Sequence, residues 1–449
     1  MIRPNKQHVL RLSALAVAAA AIVAPVAWSG GRAPLANRAP MLKTAAAQEQ
    51  LNDRFIVTYR AGAKAAAASA QNRFATASST LGMTIRGLRT LSTGSDVIRV
   101  DRALDKTQSK QLMAEILKDP NVLSVEPDVR MKPLFVPNDP LYAQQWHYKN
   151  GPGGINAEPA WDITKGSGIV VGVIDTGITP HSEFAGQLVP GYDFISDLDT
   201  AVDGDGRDAD PNDPGDWHNG ECNIFGIPED SSWHGTHVAG TIAALTDNGS
   251  GVAGVAPNAK VQPLRALGKC GGYLSDIIDA ITWGSGGTVA GIPANANPAE
   301  VLNMSLGGGG TCGVALQSAI DAAVGRGTTV VVAAGNSGGD AASEQPASCN
   351  NVITVSAVGP TGALADYSNY GEKVDVAAPG GSGAAPAADN VLSTLNLGTT
   401  VQGAEGYAWY AGTSMAAPHV AGVVALMQSA AGTPKTPAQV EKILRNTAY

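Results

Sequence analysis

Short apolar runs alternate with candidate helices along this 449-residue chain from about Asn138 onward, and this alternation limits the folds open to it. The five runs are "GIVVGVID" (168–175), "KVQPLRAL" (260–267), "VLNMSL" (301–306), "TTVVVAAG" (328–335) and "NVITVSAV" (351–358). The helix candidates are 235–246, 274–283, 313–325 and 414–430. Near-continuous apolar strands separated by helices are typical of a buried parallel sheet with helices on both faces. We therefore predict an α/β fold whose functional residues collect at the carboxyl ends of the strands.

A smaller unit precedes this region. The pattern predicts strands at 54–60, 95–100 and 122–129, and helices at 65–80 and 106–119. Strands divided by two helices indicate a ferredoxin-like α+β sandwich. The stretch "KPLFVPNDP" (132–140), with three prolines, is predicted to be an exposed linker.

The first thirty residues have the pattern of an export signal. Arg3, Lys6 and Arg11 precede the apolar stretch "LSALAVAAAAIVA" (12–24), which is too short to span a bilayer comfortably. We expect a signal peptide over residues 1–33, with an N-terminal anchor as the alternative, and no stable membrane insertion of the rest.

Charge and cysteine content narrow the choice of partners. Lys and Arg number 30 against 39 Asp and Glu, a net charge of −9, which argues against nucleic acid or an anionic membrane as the main partner. Four cysteines in an exported chain favour two disulfides, with three pairings open. Their spacing does not match a structural zinc site.

Four polar residues stand at predicted element ends and together suggest acyl-transfer chemistry. Asp175 ends a strand, His234 begins a helix in "HGTHVAGT", and Ser414 begins another in "GTSMAAPHVAG". Ser414 alone could be a helix cap, and His234 with His237 could bind a metal, although the Glu of an H-E-x-x-H helix is missing. Together, however, a hydroxyl, a base and an orienting carboxylate form a nucleophilic triad, and Asn336 adds an amide for a developing oxyanion.

The segments "VVGVIDTGI", "HGTHVAGT", "NMSLGG", "AAGNSG" and "GTSMAAPHVAG" resemble the signature blocks of the subtilisin-like serine proteases. The opening "VPNDPLYAQQWHY" is most similar to the thermitase-like, secreted bacterial branch. The resemblance implies a subtilisin-like catalytic domain at 136–449. It also implies an inhibitory, folding-assisting propeptide at 34–135.

The resemblance also implies a role for each residue. Ser414 would attack the peptide carbonyl, His234 would move its proton, Asp175 would orient the imidazole, and Asn336 with the Ser414 backbone N–H would form the oxyanion hole. His237 becomes a packed helix residue. The substrate-binding residues implied are Gly268, Gly271, Ser305, Leu306, Gly307, Ala334 and Gly335. Ser337 stands where many relatives carry an acid, so we expect a roomy apolar pocket.

Calcium is the expected cofactor, in a structural role, at two places. The resemblance to the thermitase-like branch implies one site formed by Asp139, Glu183 and Asn248 with carbonyls of the 245–252 loop. The acidic stretch 197–216 suggests a second, because Ca²⁺ favours several carboxylate oxygens on flexible turns. Its candidate ligands are Asp199, Asp203, Asp205, Asp208, Asp210 and Asp213.

The function implied is that of a secreted, extracellular serine endopeptidase, made as a self-processing zymogen and acting as a monomer on polypeptides. We expect broad specificity for apolar residues before the scissile bond, inhibition by its own propeptide, and self-cleavage within 132–137. We also expect Cys222 to pair with Cys270 and Cys312 with Cys349. A catalytically silent binding protein and an esterase are the alternatives, although the G-x-S-x-G elbow of many esterases is absent.

Overall fold

The computed structural model describes residues 51–60, 74–130 and 135–448, which form two compact units divided between Pro133 and Leu134. The expected signal peptide at 1–33 lies outside the described residues, as do much of the predicted helix 65–80 and part of the predicted linker. Each unit is described by itself.

The N-terminal unit is a four-stranded antiparallel sheet with two helices. In chain order its elements are β1 (Asn52–Tyr59), α1 (Ala75–Leu81), β2 (Ile85–Thr90), β3 (Asp96–Leu104), α2 (Lys106–Ile116) and β4 (Val122–Pro127). The strand order β2-β3-β1-β4 is that of the predicted ferredoxin-like sandwich. Strand β2 was not predicted, because only Ile85 of its six residues is buried and the sequence shows no alternation.

The second unit is built on a seven-stranded parallel sheet in the order β13-β12-β10-β8-β5-β7-β6. Its strands are β5 (Val170–Asp175), β6 (Tyr192–Asp193), β7 (Lys260–Arg265), β8 (Val301–Met304), β9 (Gly308–Gly309), β10 (Thr329–Ala333), β11 (Glu344–Gln345), β12 (Ile353–Val358), β13 (Val376–Pro379), β14 (Val391–Asn396) and β15 (Glu405–Tyr410). Its helices are α3 (Glu158–Trp161), α4 (Leu198–Ala201), α5 (His234–Ala243), α6 (Leu274–Gly284), α7 (Val314–Gly325), α8 (Thr413–Ala430) and α9 (Pro437–Thr447).

The central strands bury side chains on both faces, which explains their continuous apolar runs. In β5, Val171 and Val173 join a core beneath α5 and α8, whereas Ile174 joins a second core beneath α6 and α7. All five predicted strands and all four predicted helices of this unit are present, within a few residues of the expected bounds. The α/β prediction is therefore confirmed.

The elements that sequence reasoning missed lie at the periphery. The edge strands β6 and β13 are two and four residues long, too short to show a period. The hairpin of β14 and β15 is antiparallel, and β15 has no fully buried residue. Within the described residues, no helix has the length and apolarity needed to cross a membrane.

Candidate active site

Asp175 and His234 form a carboxylate–imidazole pair in which the carboxylate is buried and the imidazole is partly exposed. Strand β5 ends at Asp175 and helix α5 begins at His234, and Nδ1 of His234 lies 2.7 Å from Oδ1 of Asp175. Because a carboxylate can only accept, Nδ1 carries the proton and donates. The same Oδ1 also accepts from the Thr176 backbone N–H at 2.8 Å. The arrangement fixes the tautomer that leaves Nε2 of His234 as a base.

The chain around His234 is shaped so that the two residues can meet. A Cβ on Gly235 would lie 2.2 Å from the carbonyl oxygen of Gly177, so this turn of α5 can approach the end of β5 only with glycine there. Trp233, the residue before the helix, is buried and has a φ of 48°, a conformation that bulky residues rarely adopt. Such strain is often found at functional sites.

The electrostatic surroundings of His234 favour its protonated form. Burial lowers the pKa of His234, but the charge of Asp175, the hydrogen bond that His234 donates to it, and the charges of Asp216 and Asp213 outweigh burial and raise that pKa. Asp216 also fixes the chain before the helix, because its two carboxylate oxygens accept from the backbone N–H and hydroxyl of Ser232, each at 2.6 Å. An imidazolium formed at this position would be stabilised.

Ser414 lies at the start of helix α8 but does not cap it. The N-cap residue is Gly412, and it makes no side-chain cap hydrogen bond. The Ser414 hydroxyl instead donates to the backbone carbonyl of Ser305 at 3.0 Å, and the Ser305 hydroxyl donates to the Ser414 carbonyl at 2.7 Å. The cap interpretation is therefore wrong. Hydrogen bonds between nucleophile and base are often long before substrate binds, so a hydroxyl placed this way can still serve as the nucleophile.

Asn336 is held by the residue that precedes Ser414. Its side-chain oxygen accepts from the backbone N–H and the hydroxyl of Thr413, at 2.8 and 2.9 Å. The amide NH₂ group is left as the donor for a ligand. Asn336, His234 and Ser414 line one cavity of about 570 Å³.

The predicted substrate-binding residues divide between two cavities that meet at Ser414 and Asn336. Gly268, Gly271, Ser305, Leu306 and Gly307 line the first, which also has an apolar part formed by Leu267, Leu274, Ile277 and Leu316. Gly307 and Gly335 line the second, of about 390 Å³. Ala334 lines neither, because it is fully buried and its backbone is hydrogen-bonded to Val355 and Asn369. Neither its side chain nor its backbone groups are free in this structure for a substrate contact.

The second cavity differs from the apolar pocket that the sequence predicted. Its wall includes the carboxylic acids Glu344 and Asp366. Ser337, at the position where many relatives carry an acid, is not itself acidic. The prediction considered only the residue directly after Asn336. It therefore missed an acid contributed by the separate strand β11.

His237, three residues after His234, is a packing residue. Its ring is fully buried and stacks on Tyr410 at 4.6 Å, and Nε2 lies 3.1 Å from the Ala408 carbonyl oxygen. Burial lowers the pKa of His237 to about 3. The metal interpretation of the two histidines fails, since no group of three His, Cys, Asp or Glu side chains suited to a metal occurs in the described part of the chain.

Asp139, Glu183 and Asn248 are brought together as expected. The Asn248 side-chain amide donates to Glu183 at 3.1 Å, and its backbone N–H reaches Asp139 at 3.4 Å. Both carboxylates are almost fully buried. Burial raises the pKa of Asp139, and it raises the pKa of Glu183 to about 7 with a contribution from the neighbouring charge of Asp139. This oxygen-rich donor set suits Ca²⁺, which would relieve the cost of two buried acids.

The six aspartates of the acidic stretch are not gathered into one site. Asp203 pairs with the buried Arg265, Asp199 lies 3.5 Å from Lys269, and Asp213 accepts from Thr176 and Gly215. The carboxylates of Asp208 and Asp210 accept from the backbone N–H groups of Asp210 and Asn212, and the backbone N–H of Asp205 donates to the Asp203 carboxylate. Most of these carboxylates serve ion pairs and turns, so the arrangement lends no support to the second calcium site, which stays a prediction.

Both predicted disulfides are present. Cys222 is joined to Cys270, beside the Gly268–Gly271 segment, and Cys312 is joined to Cys349. Their sequence separations are 48 and 37 residues, for which the chain-entropy model gives about 4 kcal/mol of stabilisation each.

Some residues of this site were not predicted. Thr413 orients Asn336, Asp216 fixes the chain before His234, and Asn303 donates to the Ser305 hydroxyl. Asp216 is the last acid of the 197–216 stretch, a position that could have been related to His234 only through the fold. Thr413 was within a quoted segment, but its partner is 77 residues away in sequence.

Comparisons with known proteins agree with this geometry. The profile of the subtilase family matches residues 166–449. The chain is 53% identical over 414 residues to an extracellular protease of Xanthomonas campestris, covering 90% of this chain and 70% of that protein. It is 34% identical over 317 residues to thermitase of Thermoactinomyces vulgaris, covering 70% and 92%. A solved structure described as a protease from Pseudoalteromonas arctica is 53% identical and covers 70% of this chain and 93% of its own, with a TM-score of 0.69. The chain belongs to the subtilase family of serine proteases.

Proposed function

We propose that this protein cleaves peptide bonds through a triad of Asp175, His234 and Ser414. The observation that carries the proposal is the 2.7 Å pair of His234 and Asp175, with His234, Ser414 and Asn336 lining one cavity. The broader assignment, a secreted, extracellular serine protease, is supported by the subtilase family match and by relatives named extracellular proteases. It is a hydrolase.

In the proposed first step, the Ser414 oxygen bonds to the substrate carbonyl carbon while its proton passes to Nε2 of His234. His234 then gives that proton to the leaving amine as the carbon–nitrogen bond breaks, which leaves an acyl ester on Ser414. Water repeats the sequence and releases the acid. Asp175 keeps the imidazole in the required tautomer and stabilises the imidazolium.

The negative charge that develops on the carbonyl oxygen needs preorganised donors. The Asn336 NH₂ group and the backbone N–H of Ser414 at the start of α8 are suited to this role, and the positive end of the helix dipole adds to it. Thr413 serves as a positioning residue, because it fixes the other end of the Asn336 amide.

The polypeptide substrate would bind as an added strand. Gly268–Gly271 and Ser305–Gly307 flank the first cavity, and backbone groups on both sides can hydrogen-bond an extended chain. Main-chain recognition of this kind accepts many sequences, which favours an endopeptidase that acts on unfolded or flexible segments.

We further propose that the chain is a zymogen. The N-terminal unit, expected to span 34–135, would assist folding and inhibit the enzyme until self-cleavage within 132–137. The new N-terminus would lie shortly before Asp139. The proposed calcium site of Asp139, Glu183 and Asn248 would then stabilise the segment that follows it.

Calcium removal tests that part of the proposal. A ligand that binds only the folded state adds about 2.7 kcal/mol at a hundredfold excess over its dissociation constant. We therefore expect chelation to lower the Tm of the mature enzyme. The double variant Asp139→Asn with Glu183→Gln should be insensitive to calcium, and a wild-type Tm unaffected by chelator would contradict the site.

The test of the activity compares a peptide with a simple ester before and after Ser414→Ala. We expect the wild-type protein to hydrolyse a flexible peptide, and Ser414→Ala to lose both activities. A protein that cleaved only the ester would be an esterase, and one that cleaved neither would be a binding protein on this fold.

In the same experiment, Ser414→Ala should remain an unprocessed precursor. Purified Ser414→Ala protein that was still cut at 132–137 would contradict self-processing.

A further inference from the structure

The cavity on the Asn336 side of Ser414 is acidic. It has a volume of about 390 Å³, and its wall includes Glu344 and Asp366. Neither lysine, arginine nor histidine is among the described residues that line it. Because this cavity begins at the nucleophile and at the oxyanion asparagine, its natural occupant is the side chain directly before the scissile bond, the P1 residue.

Glu344 is held in place by backbone and packing. It lies in strand β11, which pairs antiparallel with β9 so that Glu344 is opposite Gly309, a residue that also lines the cavity. A Cβ on Gly335 would lie 3.1 Å from Cγ of Glu344, so the stem of the acid packs where that glycine leaves room. One Glu344 carboxylate oxygen is 3.5 Å from the Ser337 hydroxyl, beside Asn336. The acid therefore lies beside Ser337 and Asn336.

The remaining wall suits a long side chain. Gly307, Gly308 and Gly309 form one side without side chains of their own, and Leu306 and Tyr367 supply apolar surface. An aliphatic stem can pack along this surface while its end reaches an acid. Glu344 is half-buried and Asp366 is exposed, so the charge extends from the interior of the cavity to its rim.

The two acids lack a cationic partner within the described part of the chain. The ion pairs found there connect other carboxylates, such as those of Asp276 and Asp279 with Arg207. An apolar P1 side chain would remove water from Glu344 and give it no compensating partner, which is unfavourable. A lysine or arginine side chain would compensate that loss with a charge-assisted hydrogen bond.

We propose that Glu344, with Asp366 at the rim, gives this protease a preference for lysine or arginine at P1. The proposal rests on the proposed peptidase function of the same site, and it replaces the apolar preference expected from Ser337. Glu344 is the specificity-determining residue, and Asp366 adds longer-range attraction.

The experiment measures kcat/KM for two peptides that differ only at P1, with lysine or with norleucine, an uncharged side chain of the same stem length. We expect the wild-type enzyme to favour lysine by about fivefold, the upper end for one partly exposed ion pair. Glu344→Gln should lower kcat/KM for the lysine peptide by about the same factor and leave that for norleucine unchanged or raised. Asp366→Asn should have a smaller effect in the same direction. Glu441→Gln, the same charge change in helix α9, should leave the ratio unchanged.

The norleucine peptide also reports on folding, because a misfolded variant would lose both activities. If Glu344→Gln misfolds, Glu344→Ala and the salt dependence of the wild-type lysine-to-norleucine ratio test the same claim. A wild-type enzyme that cleaves norleucine as fast as lysine overturns the preference while the peptidase function stands. An unchanged ratio in both Glu344 variants overturns the role of Glu344. Cleavage of neither peptide by the wild-type enzyme would mean that the proposed function itself fails.

Discussion

His234 and His237 lie three residues apart at the start of one helix, yet the structure gives them opposite chemistry. The side chain of His234 is 21% exposed, hydrogen-bonds Asp175, and has a raised pKa. His237 is fully buried against Tyr410, and its pKa is lowered to about 3. The first is suited to exchange protons with a substrate, and the second stays neutral.

The difference shows that residue type and spacing do not define a catalytic histidine. Both histidines belong to the segment "HGTH". They differ in their neighbours, because His234 contacts the carboxylate of Asp175 and His237 stacks on the ring of Tyr410. The charges of Asp216 and Asp213 reinforce the effect at His234. Function at this helix end is therefore set by neighbours that come from distant parts of the chain.

The largest expected effect separates the two histidines by activity. His234→Ala should lower kcat on the order of 10⁶-fold, the loss typical when one member of such a triad is removed. His237→Phe should retain activity within a few-fold, because it keeps a ring against Tyr410 and touches no reacting atom. The measurement is steady-state kinetics on one peptide substrate, with circular dichroism to check that His237→Phe is folded. A comparable loss of kcat in folded His237→Phe would contradict the roles assigned to the two histidines.

The next effect concerns Asn336, the proposed donor to the oxyanion. Asn336→Leu should lower kcat by about 10²–10³-fold with little change in KM, the range for removal of one oxyanion donor. Ser337→Ala is the matched control, since it changes the adjacent residue of the same cavity and should have a minor effect. A rise in KM with unchanged kcat would instead assign Asn336 to ground-state binding.

Acid stability should depend on His237. Its pKa is about 6.5 in the unfolded chain and about 3 in the folded one, so between these values the unfolded state binds more protons. Stability is therefore lost as pH falls from about 6.5 towards 3, by up to about 1.4 kcal/mol per pH unit for one site. His237→Phe should make the free energy of unfolding less steep against pH.

This measurement is made by urea unfolding at several pH values, with both proteins in the Ser414→Ala background to prevent self-digestion. His147 and His419 are also buried and have lowered pKa values, so part of the pH dependence of the free energy of unfolding should remain in either protein. Identical slopes with and without His237 would mean that its ring does not titrate between folded and unfolded states as described.

The smallest expected effect is a shift in the pH dependence of activity that reports the pKa of His234. In the proposed mechanism His234 acts as a base and must be neutral, so kcat/KM should rise with pH through a pKa above the usual imidazole value of about 6.5. Asp216→Asn removes one of the charges that raise this pKa, and the acidic limb of the profile should move to lower pH by a few tenths of a unit. Movement in the opposite direction would contradict the electrostatic account.

The sequence predicted the secondary-structure elements whose hydrophobic pattern is strong within a single segment. The five strands of the sheet interior and the helices between them were found because burial on both faces gives continuous apolar runs such as Val170–Asp175. Asp175, His234 and Ser414 were selected because each ends or begins such an element; the structure pairs Asp175 with His234, and the triad stays a prediction. The pairing of the cysteines was also correct.

What could not be predicted depends on distant pairings. Strand β2 and the edge strands carry too few buried residues to show a period. The number of acids at 197–216 could not show that the side chains of Asp203 and Asp213 contact Arg265 and Thr176, which come from other parts of the chain. Glu344 enters the cavity only through its pairing with β9, which local sequence does not reveal.

The most direct test of the triad compares Ser414→Ala, His234→Ala and the double variant by kcat on one peptide substrate. Because the proposed mechanism places the hydroxyl and the imidazole in the same proton transfer, removing either should abolish nearly all of their joint contribution. The double variant should then be no slower than the slower single variant. Losses that multiply in the double variant would show two independent roles and contradict the account.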